Sequence, residues 1–273
     1  MSVRPPVVRR VRGAVLAASL MLPSLAAWPH AFWLVPFGPA VTPGERVALD
    51  LRIGARWPGE STPRLPGLVS DFRVIDAQGS RRVGGREGGT PVGHFEARAP
   101  GAAIVVMQTQ PSEITLPGPE FQRYLREESL DDALQFRLDQ GIAHRSAREN
   151  FSRAAKTLVV VGGTASGFDR TLGLPFELVP LTNPLAYRIG SPFRVKLLLG
   201  GNAAANVRVA ALSKDKPEAM VEGRTDTSGE VRLTLTQPGL WTLYAVHLQH
   251  AARSTADWES TWASMTFALG VSP

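Results

Sequence analysis

The chain contains no cysteine. Disulfide frameworks, cysteine-ligated zinc or iron–sulfur sites and thiol nucleophiles are therefore all excluded. It also lacks any apolar run long enough to span a bilayer. LVVVGG at 158–163 and FRVKLLLGG at 193–201 are strand-sized, against the ~20 residues a spanning helix needs. Runs of lysine and arginine are missing beyond the first dozen residues, and aromatics are not interleaved with basic residues. The net charge of +6 does not change this. Arg4, Arg9, Arg10 and Arg12 supply four of those charges, and the remainder of the chain carries only +2. The electrostatic footprint of a nucleic-acid-binding protein is not there. Nor is there a G-x-S-x-G elbow, a P-loop, a G-x-G-x-x-G turn or an H-E-x-x-H pair. No Asp, Ser and His residues group together in the sequence, and the reading is non-catalytic.

What is present begins with a leader. A basic stretch to Arg12 precedes the apolar run GAVLAASLML (13–22), then Pro23, then the small residues around Ala26 and Ala27. This order defines a secretory signal with cleavage near Ala27. The mature chain is expected in the periplasm or outside the cell, and no lipobox cysteine is available for a lipid anchor.

Beyond the leader, glycine (26) and proline (22) are abundant and strand-like alternation prevails. Val47, Leu49, Leu51 and Ile53 alternate with Ala48, Asp50 and Arg52, the period-two pattern of a strand with one buried face. Phe72–Asp76, Ala103–Thr109 and Ala155–Gly162 are further strand candidates, and 81–94 reads as glycine-rich turns. Residues 119–150 break the pattern. Phe121, Tyr124, Leu125, Leu130, Leu134 and Leu138 recur at helical spacing, which indicates two short helices inserted into a β domain. Ser129 is the expected N-cap of the second. The small-residue stretch 164–175 reads as a linker. After it, Val195, Leu197 and Leu199, then Val207 and Val209, then Val231, Leu233 and Leu235 alternate with polar residues. Leu240–Leu248 is apolar on both faces, as in a central strand, and Ala263, Met265, Phe267 and Leu269 supply a last strand. Thr225–Gly229 reads as a turn, since acidic ligands for calcium are too few. The expected organisation is mainly β: signal peptide 1–27, an N-terminal β domain 28–163 with the helical insertion 119–150, linker 164–175, and a C-terminal β-sandwich 176–270.

Six segments in this order carry a resemblance: HAFWLVP (30–36), FQRYLREESLDDAL (121–134), ENFSRAAKTLVVVG (149–162), LGLPFELVPLTNP (172–184), RTDTSGEVRLTLTQPGLWTLYAVHLQH (224–250) and DWESTWASMTF (257–267). Together they resemble an exported bacterial family of unknown function labelled the nickel-uptake substrate-specific region. The resemblance covers nearly all of the mature chain. To the two β-sandwich-like domains read from the residues it adds that the second is a β-sandwich similar to transthyretin-like and carboxypeptidase-regulatory-like modules. It also implies a periplasmic role beside a nickel or cobalt importer of the inner membrane, for which this chain would be an accessory rather than the permease.

Against that background the histidines take on interest, because imidazole suits nickel, cobalt, copper and zinc. His30 matches the family's early histidine. An amino-terminal square-planar site is excluded, because Pro29 has no amide hydrogen to give up. By alternation His247 shares a face with Trp241, Leu243 and Ala245; taken alone it reads as a core histidine held by hydrogen bonds. His250 lies near the strand end, while His94 and His144 read as surface residues. Asp257 and Glu259, one residue apart, would point the same way in an extended chain, and otherwise would solvate the approach to the last strand. The candidate metal site is His30, His247 and a carboxylate from Asp257 or Glu259, holding a divalent transition metal (nickel or cobalt, with zinc or copper as chemical alternatives). The competing reading is a structural or protein-binding envelope module without metal.

Overall fold

The computed structural model describes residues 30–252 and 255–270. The proposed signal peptide lies outside the described residues. In the first half, chain order gives β1 (Ala31–Phe37), β2 (Ala40–Val41), β3 (Arg46–Gly54), β4 (Glu60–Ser61), β5 (Val69–Asp76), β6 (Gly79–Arg82), β7 (Gly93–Glu96), β8 (Gly101–Thr109) and β9 (Ser112–Leu116). Helices α1 (Gly118–Glu127) and α2 (Asp131–Asp139) follow, then the long β10 (Ala147–Val161). The second half holds β11 (Phe176–Pro180), β12 (Pro192–Leu199), β13 (Asn202–Ala203), β14 (Arg208–Ser213), β15 (Met220–Arg224), β16 (Glu230–Thr234), β17 (Gly239–His250) and β18 (Trp258–Leu269).

The protein is mainly β, with three sheets stacked in sandwich-like layers. A central ten-stranded sheet has its main path in the order β15-β14-β17-β18-β10-β8-β5-β6. One outer sheet, β1-β3-β4 with β7 on β3, packs on the first-half end of the central sheet; the other, β11-β12-β13 with β16 on β12, packs on its opposite face. Strand β10 shows how period two builds both packings. Ala155, Val159 and Val161 enter the core with Leu34, Leu49 and Leu51, whereas Ala154, Leu158 and Val160 enter the core with Phe176, Phe193 and Leu197.

The two halves share the central sheet. Strands β10 and β18 pair in parallel from Glu149↔Trp258 to Thr157↔Thr266, so hydrogen-bonded strands cross the 164–175 boundary. The sandwich-like packings expected from the sequence are thus joined through a common layer. Strand β17 lies inside that layer between β14 and β18, which accounts for the apolar residues on both of its faces.

Helices α1 and α2 cover the end of the central sheet. Phe121, Tyr124, Leu125 and Ala133 pack against Phe151, Tyr244, Val246, Trp258 and Trp262. Ser129 is not the N-cap expected from the sequence, because α2 begins after Leu130 without a side-chain cap. Ser129 instead takes a left-handed φ of 53° at the end of α1. Its N–H donates to the Arg126 carbonyl at 3.1 Å and the Leu130 N–H donates to the Leu125 carbonyl at 2.8 Å. That pair of bonds closes α1 and turns the chain sharply into α2, with Leu125 and Leu130 packed in the same cluster.

Candidate functional site

The four residues considered as metal ligands are not gathered into one site. His30 is half-buried just before β1, with Glu127, Arg153 and Glu60 as its charged neighbours. Burial lowers its pKa and Arg153 adds to this, while the two carboxylates oppose it. The Arg153 guanidinium lies over the Phe32 and Phe151 rings, so this histidine belongs to the face carrying β1 and the helices. His247 lies on the other face, its ring 6.2 Å from that of Phe176 in the outer sheet of the second half. Its pKa is lowered by burial, with a Gln249 hydrogen bond opposing. The central sheet thus separates the two imidazoles.

Asp257 and Glu259 also part company, contrary to the extended-chain expectation. Asp257 precedes β18 and is held to β10 twice: its carboxylate accepts from the Arg148 N–H at 2.8 Å, and its own N–H donates to the Arg148 carbonyl at 2.9 Å. It opens into a cavity of about 300 Å³ with Phe136 and His250, whereas Glu259 borders one of about 320 Å³ with His247 and Gln249. His247 and Glu259 thus share one cavity, and Asp257 lines another. Among the described residues no group of three or more histidine and carboxylate side chains is placed to hold a metal ion, and the candidate set does not fit a bound metal. His250, near the strand end as expected, is packed: its ring stacks on Trp258 at 4.1 Å and meets the edge of Phe136 at 4.4 Å.

Beneath the helices lies a buried ionisable cluster that no sequence pattern marks. Glu149 on β10 is fully buried; it accepts hydrogen bonds from the Tyr124 hydroxyl at 3.3 Å and from the Ser260 hydroxyl. Trp262 Nε1 donates to the Ser260 oxygen at 3.1 Å. Burial pushes the Glu149 carboxyl up to about 7, with Ser260, Tyr124 and Arg153 opposing. The same burial lowers Arg153 to about 10.

The feature best placed to meet another molecule is an open strand edge beside this cluster. The β14 ladder covers β17 only from Ser213↔Trp241 to Ala210↔Tyr244, while the β18 ladder continues to His250↔Trp258. Ala245 to His250 are therefore strand-paired on one side only, and exposure rises steadily from Val246 to His250. Beside this edge, residues 205–207 and the α1–α2 corner enclose a groove of about 220 Å³. His247 borders this groove as well as the Glu259 cavity, because no neighbouring strand closes that side.

The groove wall is charged. Arg208 reaches Glu128 at 3.1 Å, Glu222 at 2.8 Å and the Tyr244 hydroxyl at 3.4 Å; Arg224 pairs with Asp131. Burial pushes the Glu128 carboxyl up to about 7 despite Arg208. Burial works against the Arg208 charge, but Tyr244, Glu128 and Glu222 more than offset it and raise its pKa. Tyr244 is raised to about 12, by burial first and then by Glu128.

A layered, mainly β protein with helices over one end of a shared central sheet is the class these features define. The chain belongs to the family described as a domain of unknown function, DUF4198, whose model matches residues 27–249. No curated protein matches it. Among solved structures, the D0-D1 domain of Intimin is 13% identical, with 86% of this chain and 96% of that one covered and a TM-score of 0.21. The fibronectin(III)-like modules of CbhA from Clostridium thermocellum are 10% identical, with 86% and 93% covered and a TM-score of 0.20.

Proposed function

We propose that this chain is a non-catalytic, exported accessory module of the cell envelope that acts by binding a protein partner, in the nickel- and cobalt-uptake setting that the family resemblance names. The observation that carries this reading is the unpaired edge of β17 beside the charged groove. Separation of His30 from His247 favours a partner-binding role over a metal site built from these residues. Export rests on the leader at residues 1–27.

The test is site-specific photocrosslinking in intact cells, with a benzophenone amino acid at Asn206 in the groove or at Arg232 on the outward surface of β16. A discrete adduct from position 206 and none from 232 is the expected result. Equal labelling at both, or none at either, would remove the groove as the working surface. Osmotic-shock fractionation of the same cells should release the chain with the periplasmic fraction, and deletion of residues 1–27 should retain it in the cytoplasm.

A further inference from the structure

We infer that the open edge of β17 binds an extended polypeptide segment as an added strand, with a lysine or arginine side chain of that segment directed at Glu128 and Asp132. The inference rests on the protein-binding reading and names the chemistry of the partner.

Backbone geometry gives the first half of the argument. From Ala245 to His250 the strand is held by β18 alone; Ala245 and Val246 are buried, and His247 to His250 present the polar backbone groups of an unfinished ladder. About four residues of an extended chain, roughly 13 Å, would pair along that length. Strand addition supplies main-chain hydrogen bonds for affinity and leaves alternate side chains to set specificity. The edge is two-sided in the required way. Val246 and Leu248 face the helices and join the cluster containing Leu130, whereas His247 and Gln249 face the other cavity. A segment with apolar or cationic residues at alternate positions and small polar residues between them would fit both sides.

Charge gives the second half. Glu128, Asp131 and Asp132 line the groove against Arg208 and Arg224, and Glu222 reaches Arg208 from outside it. Asp131 is engaged by Arg224, and Glu222 shares Arg208 with Glu128. The excess of carboxylates selects a cation. The raised pKa of Glu128 adds support, since an incoming ammonium or guanidinium would stabilise a carboxylate that burial keeps partly protonated at neutral pH.

The probe is a fluorescein-labelled, end-blocked hexapeptide, Val-Thr-Lys-Thr-Val-Thr, titrated by anisotropy against the full processed chain. Two relatives serve as controls, one with Glu in place of Lys and one with Pro in place of the central Thr. The Lys peptide should bind saturably, at least about tenfold tighter than the Glu peptide, and the Pro peptide should fail to bind. It should also increase amide-exchange protection at 247–250. Ala205→Trp, which fills the groove from an exposed loop position, should weaken binding by about tenfold or more. Asp132→Trp does the same job from the opposite wall if Ala205→Trp shifts the unfolding midpoint. Asp132→Asn should narrow the gap between the Lys and Glu peptides. No saturable binding, equal binding of all three peptides, or indifference to both tryptophan variants would overturn the inference. A crosslinked partner at Asn206 without peptide binding removes strand addition and leaves the protein-binding reading intact. Loss of the crosslink removes that reading itself.

Discussion

Lys156 on β10 and Glu177 on β11 form an ion pair at 2.9 Å with side chains only 3% and 1% exposed. The Glu177 carboxylate also accepts from the backbone N–H groups of Leu172, Gly173 and Leu174. One carboxylate thereby ties the connecting segment to a first-half strand. Removing it strands a buried ammonium, so Glu177→Ala should cost about 3–5 kcal/mol. Lys156→Met should cost no more than about 2 kcal/mol, because Glu177 keeps its backbone donors. Urea unfolding of the two variants at neutral pH checks the asymmetry; equal losses would contradict it.

Stability should decline as pH rises through neutrality. The Glu149 pKa is about 7 in the folded chain against an ordinary 4.5, so the folded state holds a proton that the unfolded state releases first. Its contribution is complete below about 4.5 and is lost as pH climbs through about 7, a difference on the order of 2–3 kcal/mol. Glu128 shifts in the same direction. Glu149→Gln should therefore flatten the profile of urea midpoint against pH between 5 and 8. It should make the variant more stable than the parent at pH 8, and a variant profile as steep as the parent's would refute this.

Ser129 occupies a left-handed conformation that glycine adopts without a Cβ penalty. Ser129→Gly should raise stability by about 0.5–1 kcal/mol, since the backbone bonds that close α1 do not involve its side chain. A lower denaturation midpoint would show that the corner depends on something other than backbone geometry.

Gly118 opens α1 against the turn before β10. A Cβ there would lie 2.3 Å from the His144 carbonyl oxygen and 2.4 Å from its carbon, both backbone atoms. Gly118→Ala should cost about 1–3 kcal/mol and loosen the helical layer. Thermal unfolding measures the loss. Faster amide exchange in 118–139 than in β12 should show that it is local.

Nickel or zinc titrated into the processed protein should give no site that requires His30 and His247 together, because the central sheet stands between them. Calorimetry with His30→Ala, His247→Ala and the double variant checks this. Synergistic loss of a micromolar site in the double variant would show that the imidazoles meet.

Much of the architecture was legible because burial on alternate positions writes itself into the sequence. Val47, Leu49 and Leu51 are all fully buried on β3, and His247 does face the same side as Trp241 and Leu243. The Asp226 turn was also readable: its carboxylate accepts from the Ser228 and Glu230 N–H groups, the local bonding that Asp-Thr-Ser-Gly favours. Alternation does not state which strands adjoin, however. The β10–β18 pairing joins residues 109 positions apart, and neither strand marks its partner. The separation of His30 from His247 was unreadable for the same reason, since nothing in the residues places a sheet between them. Glu149, Arg153 and Ser260 are buried polar residues within strands, a placement that alternation of apolar residues does not announce. The groove was equally hidden, because it exists only where β14 stops short of β17.

Pairing β10 with β18 has a temporal consequence. Strand β18 lies between β17 and β10 in the central layer but is synthesised after both of them. Until Trp258–Leu269 arrives, β10 lacks its parallel neighbour and β17 lacks its longest ladder. A nascent chain that has not yet reached Trp258 therefore cannot close its central layer, however much of β10 and β17 has already emerged.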